Sequence, residues 1–378
     1  MLARLGRGRV RRAPLSADAA FDGSVSVVIP ARDEAARIGP CLDGLMGDPE
    51  VFEVIVVDDG STDGTASLAA ARGARVVAAG EPPAGWVGKP WALQRGLEEA
   101  RGEIVVSVDA DTRPRPGLAR AAAAALDAAE RVAADSPPAP AAGSPAARAM
   151  GSPAAPVGSS SAAPVAPALV SVGCRFVCSG PGERFLHPAL LATLVYRYGP
   201  PDADADVPVA RLMINGQCTA VRRQALLEAG GYREAAGHMT DDAAFARGLA
   251  RRGWRVAFHD GGGLIDVDMY DGAAETWREW GRSIALPDVT SPAWRAADLA
   301  VVWLTLGLPW VRLAARRATR LDLALLALRL AMAGAFAPAY AKRGAPYWLS
   351  PLADLAAAVR LTWSVVRPAR RWRGRAYG

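Results

Sequence analysis

Ile104-Val105-Val106-Ser107-Val108-Asp109-Ala110-Asp111 is the stretch on which the fold turns. A short, mostly β-branched apolar run reads as a strand buried on both faces of a sheet. It stops at two carboxylates, so it delivers acids to its C-terminal edge. Upstream, Ser24 to Pro30 is a second such run, Val54 to Val57 a third and Arg75 to Val77 a fourth. Helical patterns lie between them, over Ala35 to Leu45, Thr62 to Ala71 and Pro90 to Ala100. Strands alternating with helices imply parallel βαβ units, and polar residues gathered just past the strands mark the edge where open α/β sheets take ligands.

Further along, residues 135–167 are Ala, Pro, Ser and Gly almost throughout. Such a segment buries too little apolar surface to offset its ordering entropy, and it reads as a disordered insertion of no assigned role. Ala168 to Val177 is a strand candidate. Helices are expected over Phe185 to Tyr198, Val221 to Ala229 and Asp241 to Arg252, with a late strand at Val256 to Phe258.

After Ser291 the character changes. Leu299 to Val311, Leu321 to Ala341 and Tyr347 to Val366 are apolar all round, so two or three membrane helices are expected. Arg329, Asp354 and Arg360 interrupt them, and a mid-bilayer charge costs about 2.5–3.5 kcal/mol on insertion scales. This divides the chain into a basic leader (1–23), an α/β domain (24–290, with its insertion) and a membrane-associated helical region (291–378).

The 378 residues carry a net charge of +6, and all but two of the basic side chains are arginine; Lys89 and Lys342 are the exceptions. Arginines cluster in Arg4 to Arg12 and Arg367 to Arg375, and beside apolar segments they favour a membrane surface over nucleic acid. Cys41, Cys174, Cys178 and Cys218 form no disulfide framework and read as buried thiols. No apolar signal-peptide core precedes Asp18, so the catalytic part is expected on the cytoplasmic side of the cell membrane.

Four groups of residues carry chemistry. Asp109 and Asp111 offer hard oxygen ligands suited to Mg²⁺ or Mn²⁺, which would neutralise charge on a leaving diphosphate; a solvated turn is the plainer alternative. Asp58-Asp59-Gly60-Ser61 lies between a strand and a helix, where amides take phosphate and an aspartate accepts from a base or ribose, although Ser61 or Asp63 can equally cap the helix. Lys89, in the glycine-bracketed Gly85-Trp86-Val87-Gly88-Lys89, suggests a contact to phosphate or ribose. In Thr240-Asp241-Asp242, one acid is a candidate general base, or both simply complement a helix dipole. His238 is close enough in sequence to touch an acceptor, while His187 and His259 have no metal-like spacing.

Val25-Ser-Val-Val-Ile-Pro-Ala-Arg-Asp-Glu34, Asp58-Asp59-Gly60-Ser61, Asp109-Ala-Asp111 and Thr240-Asp241-Asp242 together resemble the family 2 glycosyltransferases of GT-A fold, over roughly residues 24–285. Gly85-Trp-Val-Gly-Lys-Pro-Trp-Ala92, Met269-Tyr270 and Trp277-Arg-Glu-Trp280 are similar to the hopanoid-associated and carotenoid (diaponeurosporenoate-type) branch, some of whose members end like Trp372-Arg-Gly-Arg375. The resemblance implies an α/β, Rossmann-like mixed sheet of the nucleotide-diphospho-sugar transferase type, with C-terminal membrane helices. It implies a UDP- or GDP-type sugar donor, Mg²⁺ or Mn²⁺, and a lipid-like acceptor. Pro30, Ala31, Glu34, Asp59, Lys89 and Asp109 fall to the nucleotide sugar, with Asp59 at the base. Asp111 holds the metal with Asp109, and Asp242, beside Asp241, is the base. Gly216, His238 and Trp280 fall to the acceptor side. Thr276 and Glu279 replace the Gln and Arg of the processive synthases' Gln-X-X-Arg-Trp element, which argues against a polymerase. A sugar-nucleotide pyrophosphorylase lacks support, because Pro30-Ala31-Arg32 stands where its glycine-rich loop belongs. Intact Asp109, Asp111 and Asp242 argue against a non-catalytic scaffold.

Overall fold

In a computed structural model, the described residues are 5, 12–135, 167–200, 207–238, 240–281, 284–368, 371–372 and 375–376. The expected disordered insertion lies almost wholly outside them. Seven strands form the central sheet: β1 (Val25–Ala31), β2 (Glu53–Asp58), β3 (Arg75–Ala78), β4 (Ile104–Val108), β6 (Ala168–Gly173), β8 (Cys218–Arg222) and β9 (Arg255–Asp260). Their order is β3-β2-β1-β4-β8-β6-β9. All neighbours are parallel except β8, which runs antiparallel to both β4 and β6. A second sheet joins β5 (Thr112–Pro114), β10 (Ile265–Val267) and β7 (Arg175–Phe176) in the order β5-β10-β7.

The period of two along each strand builds a core on both faces. Val27 and Ile29 of β1 and Val106 and Val108 of β4 join one cluster, while Val28 and Val105 join the opposite one. Helices α1 (Ile38–Met46), α2 (Thr65–Ala71) and α3 (Gly88–Glu99) follow their strands as expected, whereas α4 (Leu118–Asp135) was not read from the sequence. Helix α1 starts three residues later than its apolar pattern, because Asp33 takes a left-handed φ of 52° and the Glu34 carbonyl accepts from both Arg37 and Ile38.

Two expectations need correction. The helix read over Val221 to Ala229 is only α6 (Arg223–Glu228); Cys218–Arg222 before it is β8. Val221 pairs with Val105 on one side and Leu169 on the other, so sheet pairing overrides the helical pattern that Ala225-Leu226-Leu227 continue. The strand read over Ala168 to Val177 is two pieces in different sheets. A Cβ on Gly173 would lie 2.9 Å from the Phe258 ring, and the chain leaves the main sheet at this close approach.

The segment read as a leader is tied to the domain from Arg12 onward. Leu15 donates to the Asp260 carbonyl at 2.9 Å and packs on the core.

The next helices are α5 (Pro181–Tyr198) and α7 (Asp241–Arg251). Beyond 290, α8 (Pro292–Ala314) and α9 (Arg320–Ala339) are each long and apolar enough to cross a membrane, with only 28% and 33% of their apolar windows buried in the protein. The third apolar stretch is not one helix. It is broken at Ser350-Pro351 before α10 (Asp354–Val366). A third core cluster spans the 290 boundary, joining Leu186, Leu190 and Tyr196 of α5 to Leu306, Phe336, Tyr347 and Leu361.

Candidate functional site

The C-terminal ends of β1, β2 and β4 open onto a cavity of about 2330 Å³. Pro30, Ala31, Glu34 and Asp59 line it from β1 and β2, and Asp109 and Asp111 from the end of β4. The first two loops are laced together. Asp33 accepts from Thr62 N at 2.8 Å, Asp63 accepts from Ala35 N at 2.9 Å, and Glu34 N donates to Thr65 Oγ1 at 2.8 Å. Asp58 stays within its own turn, accepting from Ser61 N at 3.2 Å. Asp59 instead faces the cavity beside Arg32, whose Nη1 is 3.5 Å from Asp59 Oδ2.

Lys89 stands at the start of α3, with Nζ 2.7 and 2.8 Å from the two oxygens of Asp109. The Asp109 backbone is fixed as well: its N–H donates to the Gln217 carbonyl at 2.9 Å, and its carbonyl accepts from Thr112 Oγ1 at 2.7 Å. Across the cavity are Asp241 and Asp242, at the first turn of α7. Gly216 supports them from beneath; a Cβ there would come within 2.7 Å of the Asp242 Cβ. Here a glycine is required by close approach rather than by backbone conformation.

Burial pushes the Asp241 carboxyl up to about 7, with Lys89 pulling against it and Asp242 and Asp109 pushing further. Burial likewise raises Asp242, opposed by the Ala243 amide that donates to it at 2.7 Å. Lys89 is displaced upward: burial opposes its charge, but Asp109 and then Asp241 outweigh that. One lysine among Asp109, Asp241 and Asp242 leaves this cluster short of positive charge. Among the described residues no group of three or more His, Cys, Asp or Glu side chains forms a metal cage. Mg²⁺ and Mn²⁺ sites that use one or two carboxylates together with substrate phosphates need none. Asp111 fits that pattern, and Asp109, whose two oxygens both meet Lys89 Nζ, would join it only by sharing its carboxylate with that ammonium.

Every site residue read from the sequence lines this cavity except His238. The ring of His238 lies outside it, with Nδ1 3.4 Å from Asp288 Oδ2. Trp280 lines the cavity and packs against buried His187, with ring centroids 4.1 Å apart and the planes tilted by 32°. The four cysteines are free and buried, as expected. Sequence reasoning missed Asn215 and Gln217, which flank Gly216 in the cavity wall, and Arg12 and Leu15, which reach it from the leader. The polar pair beside a glycine that precedes a strand was a signal for the first two. Nothing in the composition of the leader marked the others.

A parallel-dominated sheet with carboxylates at its strand ends, facing a large cavity, puts these residues where open α/β sheets take their ligands. Residues 26–149 match Glycosyl transferase family 2. Glucosyl-3-phosphoglycerate synthase of Mycolicibacterium paratuberculosis is 47% identical over 100 residues, 25% of this chain and 30% of that protein. A 4,4'-diaponeurosporenoate glycosyltransferase of Staphylococcus aureus is 40% identical over 89 residues, 23% of this chain and 24% of that one. The matched segment thus spans under a third of either relative. A mannosyltransferase from Pyrobaculum calidifontis, solved with GDP-Man and Mn2+, aligns over 96% of this chain and 94% of its own, at 21% identity and a TM-score of 0.48.

Proposed function

We propose that the chain is an inverting, non-processive glycosyltransferase that moves a sugar from a UDP- or GDP-type donor to a lipid-like acceptor at the cell membrane. The observation that carries this reading is the cavity itself. Its polar end holds Asp59, Lys89, Asp109, Asp111 and the Asp241-Asp242 pair, and its apolar end is lined by Leu191, Leu194, Trp280 and Ile284 with Phe336 and Pro338 of α9. One of the two helices fit to cross a membrane therefore contributes wall to the reaction cavity. Most exposed large apolar side chains among the described residues fall between Trp294 and Val366, an expanse that soluble monomers rarely leave bare.

Asp59 and the laced loops after β1 and β2 hold the nucleotide, and Lys89 stands by the phosphates. Asp109 and Asp111 would hold Mg²⁺ or Mn²⁺, which supplies countercharge to the diphosphate. Asp242 takes the proton of the acceptor hydroxyl as that oxygen bonds to the anomeric carbon. The bond from this carbon to the diphosphate breaks on the opposite face, so the configuration inverts. The arginine clusters at both ends favour an anionic leaflet, and two crossings leave both ends on one side, so we assign the domain to the cytoplasmic side.

The test is transfer of labelled sugar from UDP- and GDP-sugars into a lipid extract by the full chain in detergent, with and without Mg²⁺ or Mn²⁺. Label in the lipid phase that vanishes with excess chelator and in Asp111→Ala is expected. Turnover undiminished by chelator, or label only in water-soluble products, would overturn the metal or the acceptor part respectively.

A further inference from the structure

Thr240 is the residue before α7, the position where a threonine hydroxyl ordinarily accepts from the helix's own free amides. It does not do so here: α7 has no side-chain cap. The Thr240 hydroxyl instead donates, in a short hydrogen bond, to Asp288 Oδ1, and the Thr240 N–H donates to Asp288 Oδ2 at 3.0 Å. His238 approaches the same carboxylate, its Nδ1 3.4 Å from Oδ2. Asp288 is itself anchored to α7 at a second point, because Arg247 donates to the Val289 carbonyl at 2.6 Å and to the Leu212 carbonyl at 3.0 Å. The segment carrying Asp288 thus clasps α7 both at its start and through its middle. Neither Asp288 nor His238 lines the reaction cavity.

We infer that Asp288 is a positioning residue for the reaction: through Thr240 it fixes the Asp241-Asp242 turn against Gly216, and so sets where the base stands. Asp288 touches no substrate. It accepts from both donors of Thr240 at once, the N–H and the hydroxyl. Three residues later Ser291 caps α8, accepting from Trp294 N at 3.4 Å. The clasp therefore also fixes the distance between the base and the helix pair assigned to the membrane.

The inference rests on Asp242 being the base, and the experiment separates the two. In the full chain in detergent, Asp288→Ala and Thr240→Val are each expected to lower kcat about tenfold or more while the donor Kd stays within about twofold, since displacement of a reacting group costs rate more than binding. Thr240→Ser, which keeps the hydroxyl, should restore kcat. Adding Asp288→Ala to Asp242→Asn should cost nothing further, because residues acting as a unit are not additive. Thr240→Val keeps the test decisive if Asp288→Ala fails to fold. Wild-type kcat in Thr240→Val, equal loss of kcat and donor binding, or full additivity with Asp242→Asn would overturn the positioning role while leaving the base assignment intact. An active Asp242→Asn would instead overturn the base.

Discussion

Asp241 and Asp242 are neighbours in sequence with different company in space. Both are raised by burial, but among charged neighbours Asp241 answers first to Lys89, whereas Asp242 lies over Gly216 with its carboxylate held by the Ala243 amide. Asp242→Asn keeps the shape and removes the proton acceptor. With a hydroxyl acceptor kcat should fall roughly 10²–10⁴-fold. With a carboxylate acceptor, already ionised, the loss should be far smaller, so the size of the fall reports the acceptor class. Lys89 gives a second handle. Both carboxyls are raised by burial and lowered by Lys89, and a base works only when deprotonated, so activity should rise with pH through their range. Lys89→Met removes the lowering charge, and the acid limb of the kcat profile should move to higher pH. A limb that stays in place, or moves down, would mean that neither acid controls it.

At the scale of elements, the geometry hangs on small residues where chains cross. Gly216→Ala puts a methyl 2.7 Å from the Asp242 Cβ and must push the start of α7 outward. Reduced kcat with retained donor binding is expected, read by turnover and by calorimetric titration of the nucleotide. Gly44→Ala is its counterpart away from the site. A Cβ there would run into the Pro114 carbonyl oxygen, and overpacking of this kind costs about 1–3 kcal/mol, seen as a lower thermal midpoint. These contacts also mark what the sequence could yield. The βα alternation through Val108 was legible because each apolar run is local, and the acids at the strand ends came with it. Strand β8 was not, because its identity lies in pairing with residues some 50 and 115 positions away, while its own Ala- and Leu-rich continuation favours helix. His238 was placed near the acceptor by proximity in sequence alone. The Asp288 that claims it comes from a loop 50 residues on, and no local pattern records that.

For the whole molecule, the decisive question is how charges sit in segments otherwise fit for lipid. From sequence, Arg329 and Asp354 were penalties against membrane helices. In the structure they form a pair, Arg329 Nε to Asp354 Oδ2 at 2.9 Å, with both side chains almost completely buried. Arg329 stands midway along α9 and turns inward to α10 and to the Pro188 carbonyl of α5 at 3.5 Å, while Leu321, Leu323 and Leu330 of α9 remain exposed. The charge at the centre of the segment is thus met by protein, and the outward face stays apolar. Since α5 lies between β7 and β8 in the chain, the same pair helps tie that segment to the helices beyond 290. A chain cut at 291 should therefore expose the Leu186, Leu190 and Tyr196 face and aggregate rather than come away as a free catalytic half. The pair itself gives the sharper test. Asp354→Ala strands a buried guanidinium and should cost about 3–5 kcal/mol, lowering the detergent thermal midpoint. Arg329→Met with Asp354→Leu replaces both charges by apolar bulk and should recover most of that loss. Asp354→Ala as stable as the parent would mean that Arg329 finds water or lipid headgroups instead, and that α9 does not pack on α10 as the structure has it.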